Sequence, residues 1–165
     1  MILEWIKTIT ILPINVLLTV PMFVIYSTDC TSQPNYFFFM ILGGILLAAG
    51  LLLATWTMWL FAHRGEGMAA PWNSSRKFTI EGPYAHVRNP MIASVLMMQI
   101  AEALLFNSWI IFGLFGLFLL GNMIYFPLFE EKSLERRFGD DYRIYKHNVP
   151  RWIPRLTPWR RRYKR

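Results

Sequence analysis

The residues of this sequence best suited to handling a polar ligand fall into three short blocks. Arg88-Asn89-Pro90 is the first, Glu130-Glu131 the second, and Tyr142, Tyr145 and Arg151 the third. Arginine pairs with carboxylates bidentately, carboxylates receive ammonium and hydroxyl donors, and an aromatic ring faces a cation through its π cloud. Two apolar stretches, 91–106 and 109–129, separate the first block from the second, with only Asn107 and Ser108 between them. A tight antiparallel hairpin there returns the chain to its starting face. It makes Arg88-Asn89-Pro90 and Glu130-Glu131 neighbours and gathers opposite charges at one membrane interface.

Glu102 stands apart, as the only charged residue from Asn89 to Phe129. It is about 17 Å along its helix from Met91, near the middle of a bilayer. Ionisable groups at that depth are costly and are functional candidates by default. Gln99 shares its face one turn earlier, and Asn122 on the next helix is placed to reach it. Glu102 is therefore a candidate on the acceptor side of a site, or one member of a polar helix–helix contact. His86, the histidine nearest these blocks, reads as a solvated loop residue. No grouping of His, Cys, Asp and Glu has metal-ligand spacing, so no metal is expected. Cys30 is the single cysteine and leaves the redox compartment undetermined.

The elements that must position these residues follow from hydropathy. Of 165 residues, 55% are hydrophobic and 16% charged, and mean hydropathy is +0.33. Soluble domains carry roughly 25% charged residues. No charge occurs between Lys7 and Asp29, or between Asp29 and His63. Crossing a bilayer takes roughly 20 apolar residues, and four segments are read as spans: 8–26, 36–62, 91–106, which is short at about 24 Å of helical rise, and 109–129. Pro13 and Pro21 kink or shorten the first of these, which is read as a retained helix rather than a signal peptide. In the second, Gly44, Ala48, Ala49 and Gly50 offer a small-residue packing face, and Trp56 and Trp59 mark an interfacial belt. The loop 63–90 is rich in turn residues and carries four bases; the tail 130–165 carries twelve of the 17 Lys and Arg. The loop 27–35 and the hairpin tip carry none. The positive-inside rule then places loop 63–90, the tail and both termini in the cytoplasm. The formal charge of +7 thus lies beside the membrane, where it meets anionic lipid head groups rather than nucleic acid. In the tail, Leu134 and Phe138 predict a helix stopped by Gly139. Asp140 is placed to cap a second helix that carries Tyr142 and Tyr145 and ends at Pro150. The expected fold is a single all-α integral membrane domain, 1–165, multi-pass, with four transmembrane helices and a C-terminal hairpin followed by short amphipathic cytoplasmic helices.

Taken together and in order, Gly82-Pro83-Tyr84, Arg88-Asn89-Pro90, Glu130-Glu131 with Leu134, Phe138-Gly139, Tyr142, Tyr145 and Val149-Pro150-Arg151 resemble a known signature. It is that of the small membrane methyltransferases, the isoprenylcysteine carboxyl methyltransferase and phospholipid N-methyltransferase family. The resemblance covers about half the chain, 78–155. It implies an enzyme using S-adenosyl-L-methionine, with a cofactor pocket built from the loop before the third span and from the post-membrane segment, and an acceptor arriving from the lipid. Carried onto this sequence, it implies cofactor-binding roles for Tyr84, Arg88, Asn89, Pro90, Glu130, Glu131, Tyr142 and Tyr145, and catalytic roles for Arg88, Glu131 and Arg151. The residue types agree: arginine for the cofactor carboxylate, carboxylates for its ammonium and ribose, an aromatic ring for its adenine or sulfonium.

Three positions depart from the commonest form of that signature, which has histidine at Asn89, tyrosine at Ile92 and glycine at Ser94. Asn89 keeps hydrogen-bonding capacity but cannot act as a base, and Ile92 removes a hydroxyl. These changes bear on substrate identity more than on cofactor binding. The acceptor classes that fit are a prenylcysteine-like carboxylate, a lipid amine and a thiol, with a slight preference for one already anionic, which needs no deprotonation. Two competing readings are an NADPH-dependent membrane reductase related to sterol reductases and a non-enzymatic membrane scaffold.

Overall fold

A computed structural model of the protein describes residues 36–64 and 80–159, together with Tyr26. The first expected span, the loop 27–35, Cys30, most of loop 63–90 and the basic end 160–165 lie outside the described residues. Every regular element among the described residues is helical. α1 is Tyr36–Arg64, α2 Pro90–Leu105, α3 Trp109–Tyr125, α4 Glu131–Phe138 and α5 Asp140–Asn148; a 3-10 turn, Gly82–Ala85, precedes α2. Two helical stretches are long and apolar enough to cross a membrane: Phe37–Leu60, 24 residues, and Trp109–Phe138, 30 residues. The second is one continuous helix whose apolar part ends at Phe129; from Glu130 it is charged and extends beyond the apolar layer.

α1 and α2 form the tightest helix pair. A side chain added at Gly43 would meet Leu105 Cγ at 2.9 Å, and one at Gly50 would meet Met98 Cγ at 2.7 Å and the Ser94 carbonyl at 3.1 Å. Ala54, Thr57 and Leu60 continue the buried stripe. The packing face therefore runs through Gly43 and Gly50. Gly44 and Ala48, expected to lie on it, are exposed, and a side chain at Gly44 would meet nothing within 4 Å. Both are about 100° of helical rotation or more from that stripe.

Proline sets the start of α2. Pro90 occupies its first turn, where the missing N–H costs nothing. At the other end the chain turns through 106–108. Asn107 takes a φ of +47°, a left-handed conformation that asparagine tolerates, and Ser108 caps α3, its Oγ accepting from the Ile111 N–H at 3.4 Å.

Beyond the apolar layer, Gly139 at φ +55° stops α4 as expected. Asp140, however, is the first residue of α5 rather than its cap, and its carboxylate accepts from Arg143 at 3.1 Å. α5 ends in extended backbone at Val149, the conformation that a following proline imposes. Tyr142, Tyr145 and Val149 form a small core with Ile80, Leu134, Phe138 and Trp159. The segment after α5 then runs back along the loop before α2. Arg88 N–H donates to the Pro150 carbonyl, Arg155 N–H to His86 and Trp159 N–H to Ala85, each at 2.9 Å. His86 closes the clasp through Nδ1, 2.7 Å from the Arg155 carbonyl, so it is a structural residue rather than a solvated one. Trp56, at the end of α1, lies 3.3 Å from where a side chain at Gly82 would sit. That ring moors the loop to the bundle.

Replacing Gly50 by alanine is expected to destabilise the protein by about 1–3 kcal/mol through overpacking, while Gly44→Ala, which meets open space, is neutral or slightly stabilising. Thermal unfolding of both variants in detergent checks the register of the pair.

Candidate functional site

At the junction of the loop, α4 and the return segment sits Glu131, 3% exposed. A carboxylate buried to that degree stays ionised only when donors surround it, and here both oxygens are taken. Oε1 accepts from Arg88 Nη1 at 2.8 Å and from Arg151 Nε and Nη2, each at 2.7 Å. Oε2 faces Lys146 Nζ at 3.0 Å, and Lys146 also bonds Glu135 at 2.8 Å. Burial pushes the Glu131 carboxyl up, but hydrogen bonds from Arg151 and Lys146 and the charges of Arg88 and Arg151 outweigh it, holding the group below the usual carboxylate range.

The three tyrosines line the same junction. Tyr145 donates its hydroxyl to the Tyr84 carbonyl at 2.8 Å, and Tyr142 lies within hydrogen-bonding reach of the Arg88 guanidinium. Burial, with the Glu131 charge second, pushes the Tyr142 phenol up to about 12. Burial raises Tyr145, with Tyr142 adding to it, and likewise raises Tyr84, with Tyr145 adding to it. All three remain protonated donors at neutral pH.

Of the residues singled out in the sequence, the structure brings Arg88, Glu131, Arg151, Tyr84, Tyr142 and Tyr145 together. Pro90 is buried beside them as the start of α2. Glu130 does not join the cluster. Burial pushes its carboxyl up, and the charge that opposes this is Arg137. Asn89 precedes α2 without capping it; its Nδ2 is buried with no partner among the described residues, as are Arg88 Nε and Trp152 Nε1. Lys146 and Trp152 were missed. Lys146 had been counted among the lipid-facing bases of the tail, although its place one residue after Tyr145 puts it at the edge of the aromatic face. Trp152 follows Arg151 directly and packs edge-on against Phe126, ring centres 6.0 Å apart.

Glu102 belongs elsewhere. Ala101, beside it on α2, packs on Gly43 of α1. Asn122 does not reach it and instead donates to the Phe118 carbonyl of its own helix at 2.8 Å. Gln99 Oε1 and Glu102 Oε2 are buried without a partner among the described residues. Among the described residues, no group of three or more His, Cys, Asp and Glu could hold a metal ion.

Residues 38–141 match the sequence profile of the phospholipid methyltransferase family, more than half of the 165. The chain belongs to the phospholipid methyltransferase family. No individual curated protein and no solved structure matches it. The matched region takes in nearly all of α1, then α2 to α4 with Arg88 and Glu131, and stops just before Tyr142, Lys146 and Arg151. Membership makes this a membrane protein, in keeping with its two long apolar helices, and implies methyl transfer to a lipid-related acceptor.

The cluster has a signed pH dependence. Because the folded Glu131 is held below its unfolded value of roughly 4.3, its ion pairs stabilise the protein fully above that value. The contribution disappears as pH falls through the folded value. Glu131→Gln is expected to cost about 3 kcal/mol at pH 7, the low end for breaking a buried pair because Arg151 and Lys146 keep some water. It also removes the Glu131 component of acid destabilisation. Thermal unfolding of both proteins from pH 3 to pH 7 measures both effects.

Proposed function

We propose that this phospholipid methyltransferase family member transfers a methyl group from S-adenosylmethionine to a lipophilic or small amphiphilic acceptor at the cytoplasmic face of the membrane. The observation that carries the reading is a surplus of donors. Arg88, Arg151 and Lys146 supply three positive charges against two negative ones on Glu131 and Glu135. Arg88 Nε and Asn89 Nδ2 are buried and find no acceptor among the described residues. Buried donors without partners are costly, and a ligand carboxylate relieves both that cost and the excess charge. The cofactor's amino-acid end carries such a carboxylate, so the residues present fit it.

When bound, the cofactor supplies an activated methyl on a sulfonium; the remaining tasks belong to the chain. Arg88 and Asn89 hold the carboxylate end. Glu131, itself fixed by Arg151 and Lys146, keeps Arg88 from swinging to the head groups. The tyrosine ring faces offer a π surface for the adenine or the cation. Glu131 is committed to its three bases, which leaves Glu130 as the carboxylate for a ligand ammonium or for a proton leaving an amine acceptor. Since transfer is in-line, alignment and exclusion of water are the catalytic demands. A buried, hydrogen-bonded junction sealed by the return segment serves both.

In this reading the chain spans the membrane four times as one domain, with α2 and α3 as a hairpin, both termini cytoplasmic, and the basic tail against anionic lipid. Of the acceptors that fit, the family description favours a lipid amine over the prenylcysteine-like carboxylate preferred on residue chemistry alone; a thiol remains the third class.

Titration calorimetry of detergent-purified protein with S-adenosylhomocysteine tests the proposal. Saturable binding is expected, weakened about tenfold or more in Arg88→Ala and less in Asn89→Ala, as charged and neutral donors differ. A folded wild type that stays silent at millimolar S-adenosylhomocysteine but binds NADPH would overturn it.

A further inference from the structure

The helix that carries Glu131 out of the membrane contains one irregular turn, and its geometry decides where that carboxylate points. α3 is α-helical as far as Phe126, whose N–H donates to the Asn122 carbonyl four residues back. Over Phe126–Glu130 the helix widens to a π turn, and the Glu131 N–H reaches five residues back, to Phe126. The cause is in the sequence. Pro127 has no N–H for the Met123 carbonyl, and its ring crowds that carbonyl, so the helix takes in one extra residue without breaking.

The rotation can be followed along the helix. The buried side of α3 is fixed by Ile111, 1% exposed, and Asn122 lies within about 20° of it at 3.6 residues per turn. In an uninterrupted α-helix, Phe129 returns to that side, whereas Glu131 falls about 180° from Asn122, facing away from the loop. The structure shows otherwise: Phe129 is 62% exposed and Glu131 is buried. One extra residue in the π turn delays the rotation by about 100°. That delay swings Glu131 from the outer face to within about 80° of Asn122 and into reach of Arg88 and Arg151.

We infer that the Pro127 π turn is the positioning device of the site, and that Pro127 acts through Glu131 to set the donors on Arg88 and Arg151. The inference rests on the reading of this junction as the ligand site, but its geometric content is separable from it. Pro127 has no polar side-chain group to join the cluster; it determines which of two adjacent glutamates enters it.

The experiment compares wild type, Pro127→Ala, and Pro127→Ala combined with deletion of Leu128, a lipid-exposed residue. Alanine restores the N–H and lets the helix revert to α, carrying Glu131 outward. Deleting Leu128 then places Glu131 eight residues after Asn122, at about 80° in an unbroken α-helix, the direction that the π turn provides. The primary readout is the acid limb of thermal unfolding between pH 3 and pH 7, with Glu131→Gln as the reference lacking it. Pro127→Ala is expected to lose that limb and to bind S-adenosylhomocysteine about tenfold more weakly; the double variant is expected to regain both. An unchanged Pro127→Ala, or a double variant no better than the single one with circular dichroism still helical, overturns the inference. If wild type binds no S-adenosylhomocysteine while the acid limb is lost and regained in this order, the positioning role stands and the cofactor reading falls.

Discussion

An ionised carboxylate that water scarcely reaches has to be surrounded, and the arrangement that surrounds Glu131 links the parts of the chain beyond the apolar layer. Its donors come from the loop before α2 (Arg88), from α5 (Lys146) and from the return segment (Arg151). The loop is far in sequence from the other two, which follow one another directly. Each has to arrive within about 3 Å of one carboxyl group, because the Coulomb gain that offsets desolvation falls off with distance. The backbone bonds between 85–88 and 150–159 and the Tyr142–Tyr145–Val149 core hold the approach.

The membrane-embedded part meets a different constraint. In lipid there is little hydrophobic drive between helices, so close approach depends on small residues. Gly43 and Gly50 let α1 lie against Leu105, Met98 and the Ser94 carbonyl. That pair is the rigid base of the site: α2 begins at Asn89-Pro90 on one side of the loop, and α1 presents Trp56 to Gly82 on the other. α3, by contrast, is exposed along most of its length, and at its end it delivers Glu131 to the site.

Much of this was legible in the sequence, because the signals were of the strong kind. Apolar length identified the two helices long enough to cross a membrane, Gly139 and Pro150 marked the ends of α4 and α5, and the expected hairpin made Arg88 and Glu131 neighbours, with Arg151 in the tail beside them. What the sequence hid has physical reasons. Which of Gly43 and Gly44 faces α2 depends on a rotation of about 100°, and a uniformly apolar helix carries no polar face to fix it. Gly44 was accordingly chosen wrongly. Lys146 was hidden by its company, one base among twelve in a tail whose other charges meet solvent or lipid. Asn122 looked able to bridge to Glu102, but a side-chain amide in an apolar helix satisfies itself more cheaply on the carbonyl one turn back. The π turn was masked because Pro127 near the end of an apolar run reads as an ordinary kink, and the one-residue change of register shows only once the burial of Ile111, Phe129 and Glu131 is compared.

The three departures from the commonest family form separate on the same grounds. Ser94 is fully buried, bonds back to the Met91 carbonyl at 2.6 Å and lies where α2 meets Gly50. It is a packing residue, accommodated because the facing position on α1 has no side chain. Ile92 lies on the half-buried flank of α2 and takes no part in the ion-pair cluster. Of the three, Asn89 alone stands next to Arg88, with its amide buried and making no bond to the helix end it precedes. A histidine there titrates near neutrality and would change the charge of the cluster with pH. An amide is a donor at every pH. With the Glu131 carboxyl held below the usual carboxylate range, the carboxylate at the centre of the cluster stays ionised across the neutral range. On the proposed reading, the asparagine gives up general-base chemistry at that position and keeps a donor whose charge does not follow the proton.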